Sequence, residues 1–153
     1  MKILVATDGS EFSNAAIEKL PSLLDEGQVT EIKVFSAYEA PVPMAAEPFA
    51  ISGEYYAELT NINKSLAQSN ADAAAGKLAA EFPGADVSVA VGCGNPAPMI
   101  VEDAKQWNAD LIVVGSHGFG FWNRLLLGSV SNAVLHHAPC SVLVVRSPEL
   151  ESK

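Results

Sequence analysis

The sequence is short of basic residues, of cysteine and of aromatics, and it holds no long unbroken apolar stretch. Its 9 lysines and arginines stand against 18 aspartates and glutamates, a formal net charge of −9. That balance argues against a nucleic-acid groove, which needs a basic face, and against docking on an anionic membrane. The acidity falls mostly on segments with a helical pattern, as on a solvated surface. No apolar run reaches the roughly 20 residues of a membrane span. Met1 and Lys2, followed by a short strand-like run and Asp8, make no signal peptide. Cys93 and Cys140 are isolated, with no C-x-x-C and no metal-ligand spacing. Reduced thiols in a cytoplasm are the expectation.

What is present is a regular alternation of apolar runs and helical patterns. A chain of 153 residues, 49% hydrophobic, suits one domain with a sizeable core. The domain is expected over 1–147, with a short tail at 148–153. Residues 2–6 read as a first, buried strand, and the turn Thr7-Asp8-Gly9-Ser10 follows, with Ser10 or Ser13 placed to cap a helix. Phe12, Ala16, Leu20, Leu23 and Leu24 give that helix its stripe, and Pro21 predicts a kink or an end within it. Residues 31–37 form a second strand. The stretch 38–52, with Pro41, Pro43 and Pro48, has no clear period and reads either as a flap beside a pocket or as a plain surface loop. Tyr55, Leu59, Ile62 and Leu66 predict a long amphipathic helix whose face continues through alanines to Leu78 and Phe82, with the tyrosines packed in the core. Pro83-Gly84 ends it, and Val87, Val89 and Val91 alternate as a third strand.

The turn after that strand, Gly92-Cys93-Gly94-Asn95-Pro96-Ala97, matches G-x-G-x-x-A. It follows the third strand instead of opening a first βαβ unit, and Asn95-Pro96 reads as a helix cap with proline in the first turn. The favoured reading is the entry to a helix over 96–107. A fourth strand over 110–115 leads into the stretch that organises the chain, GSHGFGFWNRLLLGSVS at 115–131. Glycines at the carboxyl end of a buried parallel strand let backbone amides approach an anion. A Gly-Ser pair opening the next helix offers free N–H groups, a hydroxyl and the positive end of the dipole, all suited to phosphate. The same residues also fit an ordinary β–loop–helix connection in which the glycines only make turns. Phe119, Phe121 and Trp122 are expected to pack a short helix onto the domain, and His136 and His137 to sit structurally at the end of the last helix. A fifth strand over 141–146 closes the chain as a sheet edge.

Gly115, Gly118, Gly128 and Ser129, followed by Val130-Ser131, resemble the nucleotide loop of the universal stress proteins, in the spacing of their ATP-binding variant. The resemblance covers the whole chain. Residues 3–10, ILVATDGS, are similar to the family's opening strand and adenine-side aspartate, and 138–145, APCSVLVV, to its last helix-to-strand passage. It implies a three-layer α/β/α sandwich with a Rossmann-like, five-stranded parallel sheet in the order 3-2-1-4-5. It also implies ATP lying across the crevice between strands one and four. Ala6, Thr7 and Asp8 would lie on the adenine side, with Ala37, and Ser36 beside it, contacting the base. The phosphates would lie on the Gly115–Gly118 loop, entered from Val114, and on the helix start Gly128, Ser129, Val130 and Ser131, the two hydroxyls bonding phosphate or a Mg2+ carried by the nucleotide. For Asp8 the alternative is a turn carboxylate bonding its own backbone. His117 and Arg124 could reach a phosphate tail, with surface or loop roles as the alternatives. The family's last strand pairs with its twin across a two-fold axis, which implies a homodimer.

Three functions stay open: a nucleotide-binding stress-response regulator, an ATP hydrolase or phosphotransferase, and a dimeric scaffold with a vestigial site. Against the second, the chain has no G-x-x-x-x-G-K-S/T, no lysine in the phosphate stretch and no carboxylate in an evident water-activating position. The first is the reading adopted, with at most slow hydrolysis.

Overall fold

The computed structural model describes residues 1–41, 53–118 and 127–146. Ile3, Leu4 and Val5 make β1 (Lys2–Ala6) a strand with no exposed side chain at its centre. Such a strand must be covered on both faces, which is the setting of a parallel sheet. β2 (Glu31–Tyr38), β3 (Asp86–Cys93), β4 (Leu111–Gly115) and β5 (Ser141–Val145) join it in one parallel sheet, ordered β3-β2-β1-β4-β5. Ile3 and Val5 pair with Ile32 and Val34 on one side and with Leu111 and Val113 on the other.

Alternation along β1 divides the core in two. Ile3 and Val5 join α1 (Glu11–Leu23) and α2 (Gly53–Glu81) through Ile17, Leu20, Ala71 and Leu78. Leu4 points the other way, toward α3 (Pro96–Trp107) and α4 (Ser129–His137) through Ile100, Ala104 and Val134. The result is the expected three-layer sandwich, two helices on each face.

Local chemistry sets most element ends. Ser10 caps α1, its Oγ accepting the Ser13 N–H at 3.2 Å. Pro96 occupies the first turn of α3, and Asn108 ends it in the left-handed conformation at φ 55°. His136 and His137 stand in the last turn of α4.

Two expectations are corrected. α1 does not end at Pro21 but runs to Leu23, because the proline lies in the last turn, where it removes little, and Ile17 and Leu20 anchor the helix on the core. Of the stripe Tyr55, Leu59, Ile62 and Leu66, only Leu59 is half-buried and the rest are exposed, whereas its expected continuation through Ala67, Ala71 and Ala74 to Leu78 and Phe82 is buried. The reason is length. A helix of 29 residues spans about 43 Å, whereas an eight-residue strand spans about 26 Å, so the first half of α2 projects past the sheet. Alanines mark the half that lies close against β2 and β3. Of the other expectations, 42–52 of the aperiodic stretch, the aromatic cluster Phe119, Phe121 and Trp122, and the tail lie outside the described residues.

Candidate functional site

At the carboxyl edge of a parallel sheet the strands stop and the helices start, and every helix that follows a strand there presents its N-terminus. The ends of β1, β2 and β4 and the first turns of α1, α3 and α4 enclose a cleft of about 700 Å³ at this edge. Ala6, Thr7, Asp8, Ala37, Val114, Gly115, His117, Gly118, Gly128, Ser129, Val130 and Ser131 all line it. Arg124 lies outside the described residues, and Ser36 is buried without lining the cleft.

Ala37 holds the position at which a strand end is free. The Phe35 carbonyl accepts the Thr7 N–H at 2.9 Å on the β1 side, and the Tyr38 carbonyl accepts the Gly94 N–H at 2.8 Å on the β3 side. Backbone groups alternate along a strand, so the N–H and C=O of Ala37 face the side where β1 has already ended at Ala6. One donor and one acceptor therefore sit side by side at the cleft wall. Phe35, Pro96, Ile100 and Val114 make that wall apolar.

Across the cleft stands the start of α4. Its first intrahelical bond runs from the Asn132 N–H to the Gly128 carbonyl at 2.9 Å. The N–H groups of Ser129, Val130 and Ser131 precede it and have no acceptor among the described residues. The Ser129 side chain is exposed. The Ser131 hydroxyl, by contrast, is buried and donates within the loop, 2.9 Å from the Ser116 carbonyl and 3.1 Å from that of Gly128. Its role is to close the loop onto α4, and Ser129 is the hydroxyl left for the cleft.

The glycines have packing reasons of their own. A Cβ on Gly115 would meet the Phe12 carbonyl at 2.8 Å, so this glycine admits the backbone of α1 against β4. On Gly128 it would crowd the Ser116 carbonyl and the His117 Cα at 3.2 Å. On Gly118 it would lie 2.6 Å from Asp8 Oδ2. Gly9 needs its conformation as well, with φ +79° and the Asn70 amide in the place of a side chain, and Gly94 before α3 also has a positive φ of +146°. Gly92 and Gly94 of the G-x-G-x-x-A turn make room for Met99 of α3, a packing role and not a phosphate cradle.

Asp8 joins the two ends of the site. Its Oδ1 accepts the Ser10 N–H at 2.9 Å, the turn role, while Oδ2 faces Gly118. The resemblance implies an adenine-side role for this carboxylate, and the fold sets its Oδ2 beside Gly118. Thr7 Oγ1 accepts the Gly9 N–H at 3.2 Å and lies 3.1 Å from Ser13 Oγ, so these buried hydroxyls brace the first turn of α1. His117 is 6% exposed, with Nδ1 3.0 Å from Ser116 Oγ and its ring 5.1 Å from that of Phe12.

Sequence reasoning missed Ser13, Phe35, Glu39, Asn63, Pro96 and Ile100 as lining residues. Phe35 was within reach, two positions before Ala37 and so on the same face of β2. Asn63 carried no local signal. The overhanging half of α2 brings it across, where its Nδ2 donates to the Glu39 carbonyl at 3.1 Å.

Residues 1–146 match the sequence model of the universal stress protein family. The chain belongs to that family. Among its universal stress protein relatives is MJ0531 of Methanocaldococcus jannaschii, 34% identical over 151 residues that span 98% of this chain and 84% of the relative. The solved structure of hypothetical protein MJ0577 superposes with a TM-score of 0.79 at 26% identity, covering 95% of each chain. A universal stress protein solved in complex with cAMP aligns with a TM-score of 0.57 at 26% identity, over 95% of this chain and 96% of that one. No helix among the described residues is long and apolar enough to cross a membrane.

Proposed function

We propose that this universal stress protein is a regulatory binding protein for an adenine nucleotide, ATP with any Mg2+ held through its phosphates, and that it turns ATP over slowly at most. The observation that carries the reading is the pairing of two ends in one cleft: the free N–H and C=O of Ala37 at one, and the three acceptor-less N–H groups of α4 at the other. An adenine edge presents one amino donor beside one ring acceptor, which the Ala37 backbone complements with an acceptor and a donor. The N–H groups of Ser129, Val130 and Ser131, with the helix dipole behind them, suit a phosphate. The cleft volume falls within the range of small-molecule sites. A neighbour of the same fold in complex with cAMP supports the ligand class.

The chemistry of the lining favours binding over turnover. It has no lysine among the described residues, and the Ser116 hydroxyl, 3.0 Å from His117 Nδ1, is wholly buried and does not line it. β5 is the sheet edge on the α4 side, and pairing it with a second copy over 141–146 would make the homodimer that a regulator of this kind would use.

Titration calorimetry with Mg-ATP, ADP and AMP, on protein stripped of carried-over nucleotide, tests the reading. Micromolar binding that Gly118→Val abolishes in a folded protein is the expected result. A folded wild type that binds none of the three would overturn it and leave a scaffold.

A further inference from the structure

Asparagine is a poor residue for a helix interior, because its amide competes with the backbone for hydrogen bonds. Asn63 and Asn70 of α2 stand one heptad apart, and each amide finds its acceptor outside the helix. Seven residues bring a side chain back to nearly the same face, about 10 Å farther along the axis. Asn70 Nδ2 donates to the Asp8 carbonyl at 3.1 Å, and Asn63 Nδ2 to the Glu39 carbonyl at 3.1 Å. Both acceptors belong to residues that line the cleft, Asp8 just past β1 and Glu39 just past β2. Ala6 pairs with Phe35, so Glu39 stands farther beyond the sheet edge than Asp8. α2 runs back across that edge toward the start of β3, and its earlier asparagine therefore meets the farther turn.

The Asn70 contact is the closer fit. Its amide occupies the space that a Cβ on Gly9 would need, where Gly9 takes a φ of +79°. Asp8 is thus held through its carbonyl by α2, while its Oδ1 accepts the Ser10 N–H at 2.9 Å at the start of α1. Its Oδ2 is thereby set beside Gly118.

We propose that Asn70, with Asn63 as a second brace, is a positioning residue for the cleft: α2 holds the turns after β1 and β2 in the arrangement that receives the ligand. This goes beyond the nucleotide reading, and its ligand measurement rests on that reading. Asn70 does not line the cleft and acts through Asp8. Asn63 steadies the end of β2 at Glu39, two residues beyond the Ala37 backbone that would meet the base.

Two measurements test this, the first without ligand. In the free protein, Asn70→Ala should speed amide exchange at Ser10, whose N–H is held by Asp8, about tenfold relative to exchange at Leu78 in the buried stretch of α2. A general loss of stability would speed both alike and would overturn the assignment. In calorimetry, Asn70→Ala should weaken Mg-ATP about three- to tenfold, but by less than about twofold in an Asp8→Ala background. Asn63→Ala, at an exposed position, should weaken Mg-ATP about twofold and leave the melting temperature unchanged. Equal losses in the two backgrounds, or unchanged exchange at Ser10, would overturn the positioning role while the nucleotide reading stood. A wild type that binds no nucleotide would overturn the nucleotide reading, and exchange at Ser10 would then decide by itself whether Asn70 holds the turn.

Discussion

Asp8 Oδ2 occupies the space a side chain on Gly118 would need: a Cβ there would stand 2.6 Å from it. The glycine follows the end of β4 and the carboxylate the end of β1, the neighbouring strand in the sheet. The backbone of Gly118 is not in a glycine-only conformation, and the side chain in the way is free to swing at its far end. Gly118→Ala should therefore keep the fold and displace the carboxylate. Nucleotide affinity is expected to fall about tenfold, a cost of about 1.4 kcal/mol. A double-mutant cycle with Asp8→Ala checks this, because the added methyl should cost much less once the carboxylate is gone. Additive losses would show that Gly118 acts without Asp8.

Gly115 behaves differently, since its missing side chain faces backbone. A methyl there meets the Phe12 carbonyl at 2.8 Å, and neither α1 nor β4 can yield without repacking. Gly115→Ala should cost about 1–3 kcal/mol of overpacking strain. Thermal melts should show a fall of roughly 2–4 °C for each kcal/mol in a chain of this size. An unchanged melting point would mean that α1 does not lie so close in solution.

The two serines of α4 divide stability from binding. Ser131→Ala removes the donor to the Ser116 carbonyl and should cost about 1 kcal/mol in urea unfolding. Ser129→Ala, at an exposed site, should leave unfolding within about 0.5 kcal/mol and weaken nucleotide binding severalfold. The reverse pattern would assign the cleft to Ser131.

Along α2 the prediction is again a contrast. Leu78 is wholly buried, and Leu78→Ala should cost about 2–5 kcal/mol. Ile62 is 54% exposed, and Ile62→Ser should change stability by no more than about 0.5 kcal/mol. Denaturant unfolding of the two variants compares them directly. A large loss at Ile62 would mean that something covers the projecting half of the helix.

The cysteines should differ in reactivity. Burial, with Asp110 nearby, pushes the Cys140 thiol up, against a smaller opposing effect of the Ile112 backbone. A raised thiol pKa means less thiolate at any pH below it, so alkylation of Cys140 should be slow near neutrality and accelerate as pH rises. Cys93 is exposed and should be labelled first with iodoacetamide at about pH 7.5. Peptide mass mapping over time reads the order; equal rates would show Cys140 open to solvent.

Much of this protein is determined by physics that acts over a few residues. Ile3-Leu4-Val5 and Ile112-Val113-Val114 announce strands buried on both faces, Ser10 and Pro96 mark helix starts, and the spacing of Gly115, Gly118, Gly128 and Ser129 marks the loop at the sheet edge. These signals survive in sequence because strand burial, capping and tight turns each depend on neighbours in the chain. Tertiary structure alone decided the rest. Which stripe of α2 is buried depends on where the sheet beneath it stops, and that is a comparison of two lengths. Asp8 meets Gly118, and Asn63 meets Glu39, only because separate elements are brought to one edge. The Ser131 hydroxyl is committed to the Ser116 carbonyl by a distance that no spacing encodes. Local pattern settles which elements form; the packing of those elements settles which of their polar groups are left to meet a ligand.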